Sequence, residues 1–108
     1  MNASGIVDFH THWGEQTHRR NGPDPRSWLA PLDAHGVARA VVLPEAGLFH
    51  AGRIREDNDR VAAVCARSDG RMIPFCTVHL GRREEALAEL DRCLTQLGMR
   101  GLKLHPWF

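Results

Sequence analysis

The sequence predicts an α/β fold built on parallel strands. Four apolar runs rich in β-branched residues begin near residues 6, 39, 72 and 101, an interval of about thirty residues. Amphipathic stretches lie between these runs, so each repeat has the length of one strand followed by one helix. Successive strands joined by such a crossover are parallel.

The connections between these elements are unequal in length. Helix-to-strand connections take only a few residues, whereas the strand-to-helix connections after His12 and Pro44 take about a dozen. In α/β barrels and in open parallel sheets alike, ligands are bound by the loops at the carboxyl ends of the strands. We therefore expect the long loops to form the functional face.

The first half of the chain is predicted to contain strand, helix and strand. The first strand is Gly5–His12 ("GIVDFHTH"), and the helix Ser27–His35 follows it. This helix contains Pro31, which is tolerated only near the first turn, so Ser27 is expected to be its N-cap. The second strand is Ala38–Pro44 ("ARAVVLP"), a short run rich in β-branched residues.

The second half repeats this order, with a helix at Asp57–Ser68, a strand at Met72–Leu80, a helix at Arg83–Leu97 and a strand at Gly101–Pro106. The last helix has the clearest pattern, because its leucines recur at helical spacing on one face: Leu87, Leu90, Leu94 and Leu97. A glycine suited to the left-handed conformation follows each predicted helix: Gly36, Gly70 and Gly98.

The bulk properties are those of one ordinary globular domain. We expect one domain, or part of one, over residues 1–108, since 43% of the chain is hydrophobic and 25% is charged. A net charge of +1 would not attract nucleic acid or an anionic membrane. No signal peptide or membrane span is predicted, and the three cysteines form no C-x-x-C pair. We therefore expect a cytoplasmic protein, and cysteines that are small buried apolar residues.

Two of the seven histidines, His10 and His12, end the first predicted strand. Because side chains alternate along a strand, both are expected on one face with Asp8, while Phe9 and Thr11 face the helices. Two imidazoles at such positions can converge on one cation. The residues alone leave two interpretations open, half of a metal site or two ordinary histidines on a strand.

The fourth predicted strand has a similar pattern, with Lys103 and His105 on one face and Leu102 and Leu104 on the other. Lys103 and His105 are candidates for a catalytic role at the end of this strand. The alternative is structural: Lys103 pairs with a carboxylate such as Asp8, and His105 is a hydrogen-bonded residue.

The remaining polar candidates lie in loops or at element ends. Four more histidines are of this kind: His18, His35, His50 and His79. His35 is most simply a C-terminal helix residue favoured by the helix dipole. Arginines of the two long loops are candidates for binding an anionic group: Arg19, Arg20, Arg53 and Arg55.

Four segments, in this order and spacing, resemble the amino-terminal half of the amidohydrolase superfamily, in its amidohydrolase-related branch. They are "IVDFHTHWG", "LDAHGVARAVVLP", "NDRVAAVCARSDGRMIPFCTVHL" and "LGMRGLKLHP". The branch includes aminocarboxymuconate-semialdehyde decarboxylase, aromatic-acid decarboxylases and pyrone-dicarboxylate lactonase. The most specific elements are the H-x-H pair, the step from Asp33 to Val42, and G-x-K-L-H-P from Gly101 to Pro106.

The resemblance implies an eight-stranded (β/α) barrel with one divalent metal ion, usually zinc. The family's ligands are the H-x-H pair, a histidine ending strand five and an aspartate ending strand eight, so only His10 and His12 match. Other branches bridge metals with a carboxylated lysine on strand four, where Lys103 lies, but that role is not general in this branch. The implied reaction is hydrolysis, lactone opening or non-oxidative decarboxylation of a small carboxylated substrate.

Four strand–helix modules are half of such a barrel, so we expect a truncated amino-terminal half that is inactive alone. Its unpaired edge strands predict self-association. Two alternatives stay open. One is a non-catalytic small α/β domain with structural histidines, flavodoxin-like in layout but without a glycine-rich phosphate loop after strand one. The other is a half-barrel that dimerises and shares a metal, with His79 or His105 replacing missing ligands.

Overall fold

The computed structural model describes residues 5–13, 24–45 and 50–105, and within them strands and helices alternate as predicted. The order is β1 (Val7–Trp13), α1 (Arg26–Ala34), β2 (Arg39–Pro44), α2 (Ile54–Ala66), β3 (Met72–Cys76), α3 (Arg83–Thr95) and β4 (Gly101–Leu102). One turn of 3₁₀ helix, Ala51–Arg53, precedes α2. Every predicted strand and helix is found, and the α/β class is confirmed.

The described strands form a sheet in the order β1-β2-β3-β4, and each neighbouring pair is parallel. Consecutive strands are neighbours because each helix crosses over the sheet and returns to the adjacent position. All carboxyl ends therefore lie at one edge, which we call the carboxyl edge. The ends of β1 and β2 meet there, with Trp13 opposite Pro44.

Two strands are shorter than predicted. β3 ends at Cys76 because both main-chain groups of Thr77 bond the side-chain amide of Asn58, the N–H at 3.0 Å and the carbonyl at 2.9 Å. β4 ends at Leu102, and the Lys103 N–H donates to the Cys76 carbonyl at 2.8 Å. The expected continuations to Leu80 and Pro106 are wrong; Pro106 lies outside the described residues.

The core lies between the sheet and the helices. Its buried members are Trp13, Val42, Val61, Val64, Cys65, Met72, Cys76, Cys93 and Met99. All three cysteines are among them, which confirms that they serve as small apolar residues. Burial raises the pKa of the Cys65 thiol to about 12, so this side chain remains a neutral thiol.

The cap of α1 differs from the prediction. The helix begins at Arg26, so Pro25 and not Ser27 is the N-cap residue, and the Arg26 N–H donates to Asp24 Oδ1 at 2.9 Å. Pro31 consequently lies in the helix interior rather than in the first turn. Since α1 has nine residues, Pro31 removes only the main-chain bond to the Ser27 carbonyl.

The buried face of α3 also differs from the predicted leucine stripe. Ala86 and Cys93 are buried, whereas Leu87 is 58% exposed and Leu94 is 44% exposed. Leu87 comes one residue after Ala86, and Leu94 one residue after Cys93. Each leucine therefore projects about 100° around the helix axis from its buried neighbour. Leu90 packs against the core as predicted.

None of the described helices is long and apolar enough to cross a membrane.

Candidate metal centre

The two histidines of β1 lie near the carboxyl edge, and their rings converge. The distance from His10 Nε2 to His12 Nε2 is 3.1 Å. The ring centroids are 5.1 Å apart and the ring planes are inclined by 57°. His10 is exposed and His12 is half-buried, so the point at which the two nitrogens meet is open on one side.

A main-chain carbonyl of β2 fixes the orientation of His12. His12 Nδ1 lies 3.0 Å from the Pro44 carbonyl oxygen. A carbonyl only accepts hydrogen bonds, so Nδ1 carries the proton and Nε2 of the neutral ring keeps its lone pair. In the contact between the rings, Nε2 of His10 is then the donor. Metal-bound histidines commonly make this kind of bond from the nitrogen that does not bind the metal.

The spacing of the two nitrogens fits a shared cation. Two ring nitrogens held at about 2.0–2.1 Å from one tetrahedral zinc ion lie about 3.3–3.4 Å apart. The observed 3.1 Å needs an adjustment of only a few tenths of an ångström. Among the described residues, no group of three or more His, Cys, Asp or Glu side chains is arranged to hold a metal ion. The described chain therefore presents two potential ligands.

β1 contains a register shift just before this pair. Asp8 is opposite Ala40 and Thr11 is opposite Val42, so two residues of β1, Phe9 and His10, face one residue of β2. Such a β-bulge interrupts the alternation of side chains along the strand.

The bulge changes the predicted orientation of Phe9. The Phe9 ring packs edge-on against Phe75, with centroids 6.5 Å apart. The Phe75 ring fills the space that a Cβ of Gly101 would occupy, and because Phe75 precedes the core residue Cys76 on β3, it projects from the face of the sheet turned away from the helices. The expectation that Phe9 faces the helices is therefore wrong, whereas Thr11 is buried opposite Val42, a core residue.

Lys103 and His105 follow β4 and are both half-buried. In the described part of the chain, Lys103 forms no ion pair with Asp8, whose carboxylate instead accepts the N–H of His10 at 2.9 Å. His105 belongs to no metal-binding group with His10 and His12 among the described residues. Within the described part of the chain, Lys103 therefore forms no hydrogen bond or ion pair with the histidine pair.

The remaining predicted candidates make other contacts or lie outside the described residues. His79 and Arg55 line a cavity of about 210 Å³ between the amino ends of α2 and α3. His79 Nδ1 accepts the N–H of Gly81 at 3.0 Å. Arg53 pairs with Glu56 at 3.0 Å, whereas Arg55 forms no ion pair within the described residues. Three candidates lie outside those residues: His18, Arg19 and Arg20.

The two remaining histidines are at helix ends. His35 follows α1, and its Nδ1 donates to the Pro31 carbonyl at 2.8 Å, as expected for a residue at the end of a helix. His50 precedes the 3₁₀ turn, where its carbonyl accepts the N–H of Arg53 at 2.9 Å.

A polar cluster that the sequence analysis missed holds the end of β3. Fully buried Asn58 bonds both main-chain groups of Thr77 and donates to Glu89 Oε1 at 3.1 Å. Burial alone would raise the pKa of Glu89, but hydrogen bonds from Arg92 and Asn58 bring it below its usual range. The sequence signal was a polar residue three positions before Val61, on the apolar face of a predicted helix.

A family model for amidohydrolases matches residues 7–108, which is nearly the whole chain. The chain belongs to the amidohydrolase family. A search of curated protein sequences gives no significant match.

Solved structures similar to this amidohydrolase chain include two of 2,6-dihydroxybenzoate decarboxylase. The enzyme from Rhizobium superposes with a TM-score of 0.73 at 22% identity, over 93% of this chain and 38% of the enzyme. The complex of such an enzyme with 2,6-dihydroxybenzoate gives a TM-score of 0.71 at 21% identity, over 93% of this chain and 37% of the enzyme. These neighbours are TIM barrels, and the prediction of a partial (β/α)8 barrel is confirmed. The chain spans less than two fifths of their length.

Proposed function

We propose that the chain is the amino-terminal part of a metal-dependent amidohydrolase, and that His10 and His12 are two ligands of a divalent metal ion. Zinc is the metal we expect, because neutral imidazole nitrogens are among its usual ligands. The observation that carries the proposal is the approach of the two Nε2 atoms to 3.1 Å, with His12 oriented by the Pro44 carbonyl.

The bound metal would acidify a water molecule or polarise a carbonyl or carboxylate group of the substrate. Residues of this chain orient the proposed ligands and leave space for the substrate. Pro44 keeps the proton of His12 on Nδ1, and the exposed side of His10 leaves room for substrate. A catalytic zinc usually has three protein ligands, so the chain alone is expected to be inactive.

The proposed substrate is a small carboxylated molecule, and the proposed reaction is hydrolysis, lactone opening or non-oxidative decarboxylation. Both solved neighbours are named for the decarboxylation of such a substrate. Arg55 is a better candidate than Arg53 for binding its carboxylate, because the Arg53 guanidinium is already paired with Glu56. We propose no nucleic-acid or membrane partner, since the net charge is only +1.

We further propose that the isolated chain self-associates. Large apolar side chains are exposed on both edge strands of the described sheet, with Phe9 on β1 at 67% and Leu102 on β4 at 36%. Exposed strand edges of this kind pair with other chains. Sedimentation over a range of protein concentrations tests this, and a concentration-independent monomer would contradict it.

The metal proposal is tested by titrating the metal-free protein with Zn²⁺ in a calorimeter. The wild type and the matched control His35→Ala, which removes an exposed histidine at a helix end, are expected to bind one equivalent. The double variant His10→Ala/His12→Ala is expected to lose this binding.

Two other outcomes would contradict the proposal. Equal, negligible binding in all three proteins would favour a non-catalytic α/β domain with structural histidines. A zinc-dependent dimer whose binding requires His79 or His105 would favour a half-barrel that shares the metal between two copies.

A further inference from the structure

We infer that Asp8 and Thr11 are positioning residues for the histidine pair. They hold the β-bulge that brings His10 and His12 together, and through it they set the affinity for a divalent cation. This inference rests on the proposed metal centre and assigns new roles to the other two polar residues of the motif Asp8-Phe9-His10-Thr11-His12.

The bulge is the structural reason for a positioning role. Side chains two residues apart on a regular strand are separated by about 6 to 7 Å along its axis. The Nε2 atoms of His10 and His12 are only 3.1 Å apart. Their approach coincides with the register shift between Asp8 and Thr11, where Phe9 and His10 together oppose Val41. A bulge bends its strand locally and redirects a side chain, and His10 is one of the two residues at this bulge.

Thr11 stabilises the bulge from the side of β2. Its hydroxyl donates to the carbonyl of Val41, the residue opposite the bulge, at 2.7 Å. The Thr11 side chain is buried against the core, so water cannot easily replace this bond. Because Thr11 lies between the two histidines, its anchoring fixes the backbone from which both rings project.

Asp8 stabilises the bulge from within β1. Its Oδ1 accepts the main-chain N–H of His10 at 2.9 Å. His10 is one of the two residues crowded opposite Val41, and the extra residue of a bulge leaves the regular ladder of main-chain bonds. The carboxylate of Asp8 therefore supplies a partner for the N–H of the first histidine.

The test compares two threonines that undergo the same change. Thr11→Val removes the hydroxyl bonded to Val41. Thr77→Val removes a buried hydroxyl that has no hydrogen-bond partner among the described residues. Zn²⁺ affinity is measured by competition with a chromophoric chelator. Thr11→Val is expected to weaken binding about 10- to 100-fold, as loss of a supporting bond typically does, while Thr77→Val binds like the wild type.

Conservative variants separate positioning from general destabilisation. Thr11→Ser retains the donor and Asp8→Asn retains an acceptor oxygen, so both are expected to recover most of the affinity lost in Thr11→Val and Asp8→Ala. Wild-type affinity in Thr11→Val and Asp8→Ala would overturn the inference. So would a loss in Thr11→Ser as large as that in Thr11→Val, because the hydroxyl would then not be the cause.

A measurement on metal-free protein keeps this inference distinct from the metal proposal. Imidazole ¹⁵N spectra report the contact between His10 Nε2 and His12 Nε2 and the proton on His12 Nδ1. In Thr11→Val the ring-to-ring contact is expected to disappear, and in Thr77→Val it is expected to persist. If the wild type binds no zinc, the metal proposal fails; unchanged spectra in Thr11→Val would refute the positioning role whatever the zinc result.

Discussion

Replacing Asn58 with leucine is expected to unfold the protein at much lower denaturant concentration. The Asn58 amide replaces a neighbouring strand at the point where β3 ends, since it bonds both the N–H and the carbonyl of Thr77. It also donates to Glu89 on α3. One side chain therefore joins α2, α3 and the segment that leads to His79.

The size of the effect follows from the groups that lose their partners. Leucine has the same number and branching of side-chain heavy atoms as asparagine, so no cavity forms, but the two main-chain groups of fully buried Thr77 would have no partner. An unsatisfied buried polar group costs about 1–3 kcal/mol, so the two groups give a loss of about 2–6 kcal/mol. This is a large share of the 5–15 kcal/mol typical of a domain.

Urea unfolding followed by circular dichroism measures the loss. With a slope of about 2 kcal/mol/M, the middle of the usual range for urea, the midpoint should fall by roughly 1–3 M. Thr77→Val is the control, because the hydroxyl that it removes has no partner within the described structure. A midpoint for Asn58→Leu within experimental error of the wild type, at unchanged slope, would show that the Asn58 bonds contribute no net stability.

Three further predictions follow from the same contacts. Hydrogen bonds from Arg92 hold the pKa of folded Glu89 below its ordinary 4.5 despite burial. The stabilisation that results is present above pH 4.5 and is lost as the pH falls below it. Glu89→Gln should therefore flatten the acid side of a plot of urea midpoint against pH. Gly101→Ala would place a Cβ 2.5 Å from Phe75 Cζ and should cost about 1–3 kcal/mol, with part recovered in a double variant with Phe75→Leu. The three buried thiols, including Cys65 with its pKa raised to about 12, should be inert to a disulfide reagent at pH 8 until urea is added.

The order of the elements could be predicted because local chemistry decides it. The run Arg39–Pro44 is almost wholly buried, and its β-branched residues read as a strand without any knowledge of its neighbours. Glycines with positive φ follow the helices where the sequence places them, as at Gly70, with a φ of 78°. These signals lie within a few residues of the element that they define.

The sequence predictions that proved wrong concern places where a residue distant in sequence decides the local structure. β3 ends early because Asn58, 19 positions earlier, takes over the main-chain bonds of Thr77. The orientation of Phe9 depends on a bulge against β2, and strict alternation along β1 does not reveal it. The buried face of α3 depends on where small residues allow the helix to approach the sheet, and a stripe of leucines does not mark that position.

The histidine pair combines both kinds of information. The positions of His10 and His12 on one strand follow from the sequence, but the tautomer of His12 depends on the Pro44 carbonyl, 32 residues away. That bond exists only in one register of β1 on β2. Trp13, the next residue, lies opposite Pro44, is 2% exposed and packs edge-on against Trp28 with centroids 6.4 Å apart. A one-residue slip of β1 would move this indole out of the core, so the burial of Trp13 holds the register that keeps the lone pair of His12 available.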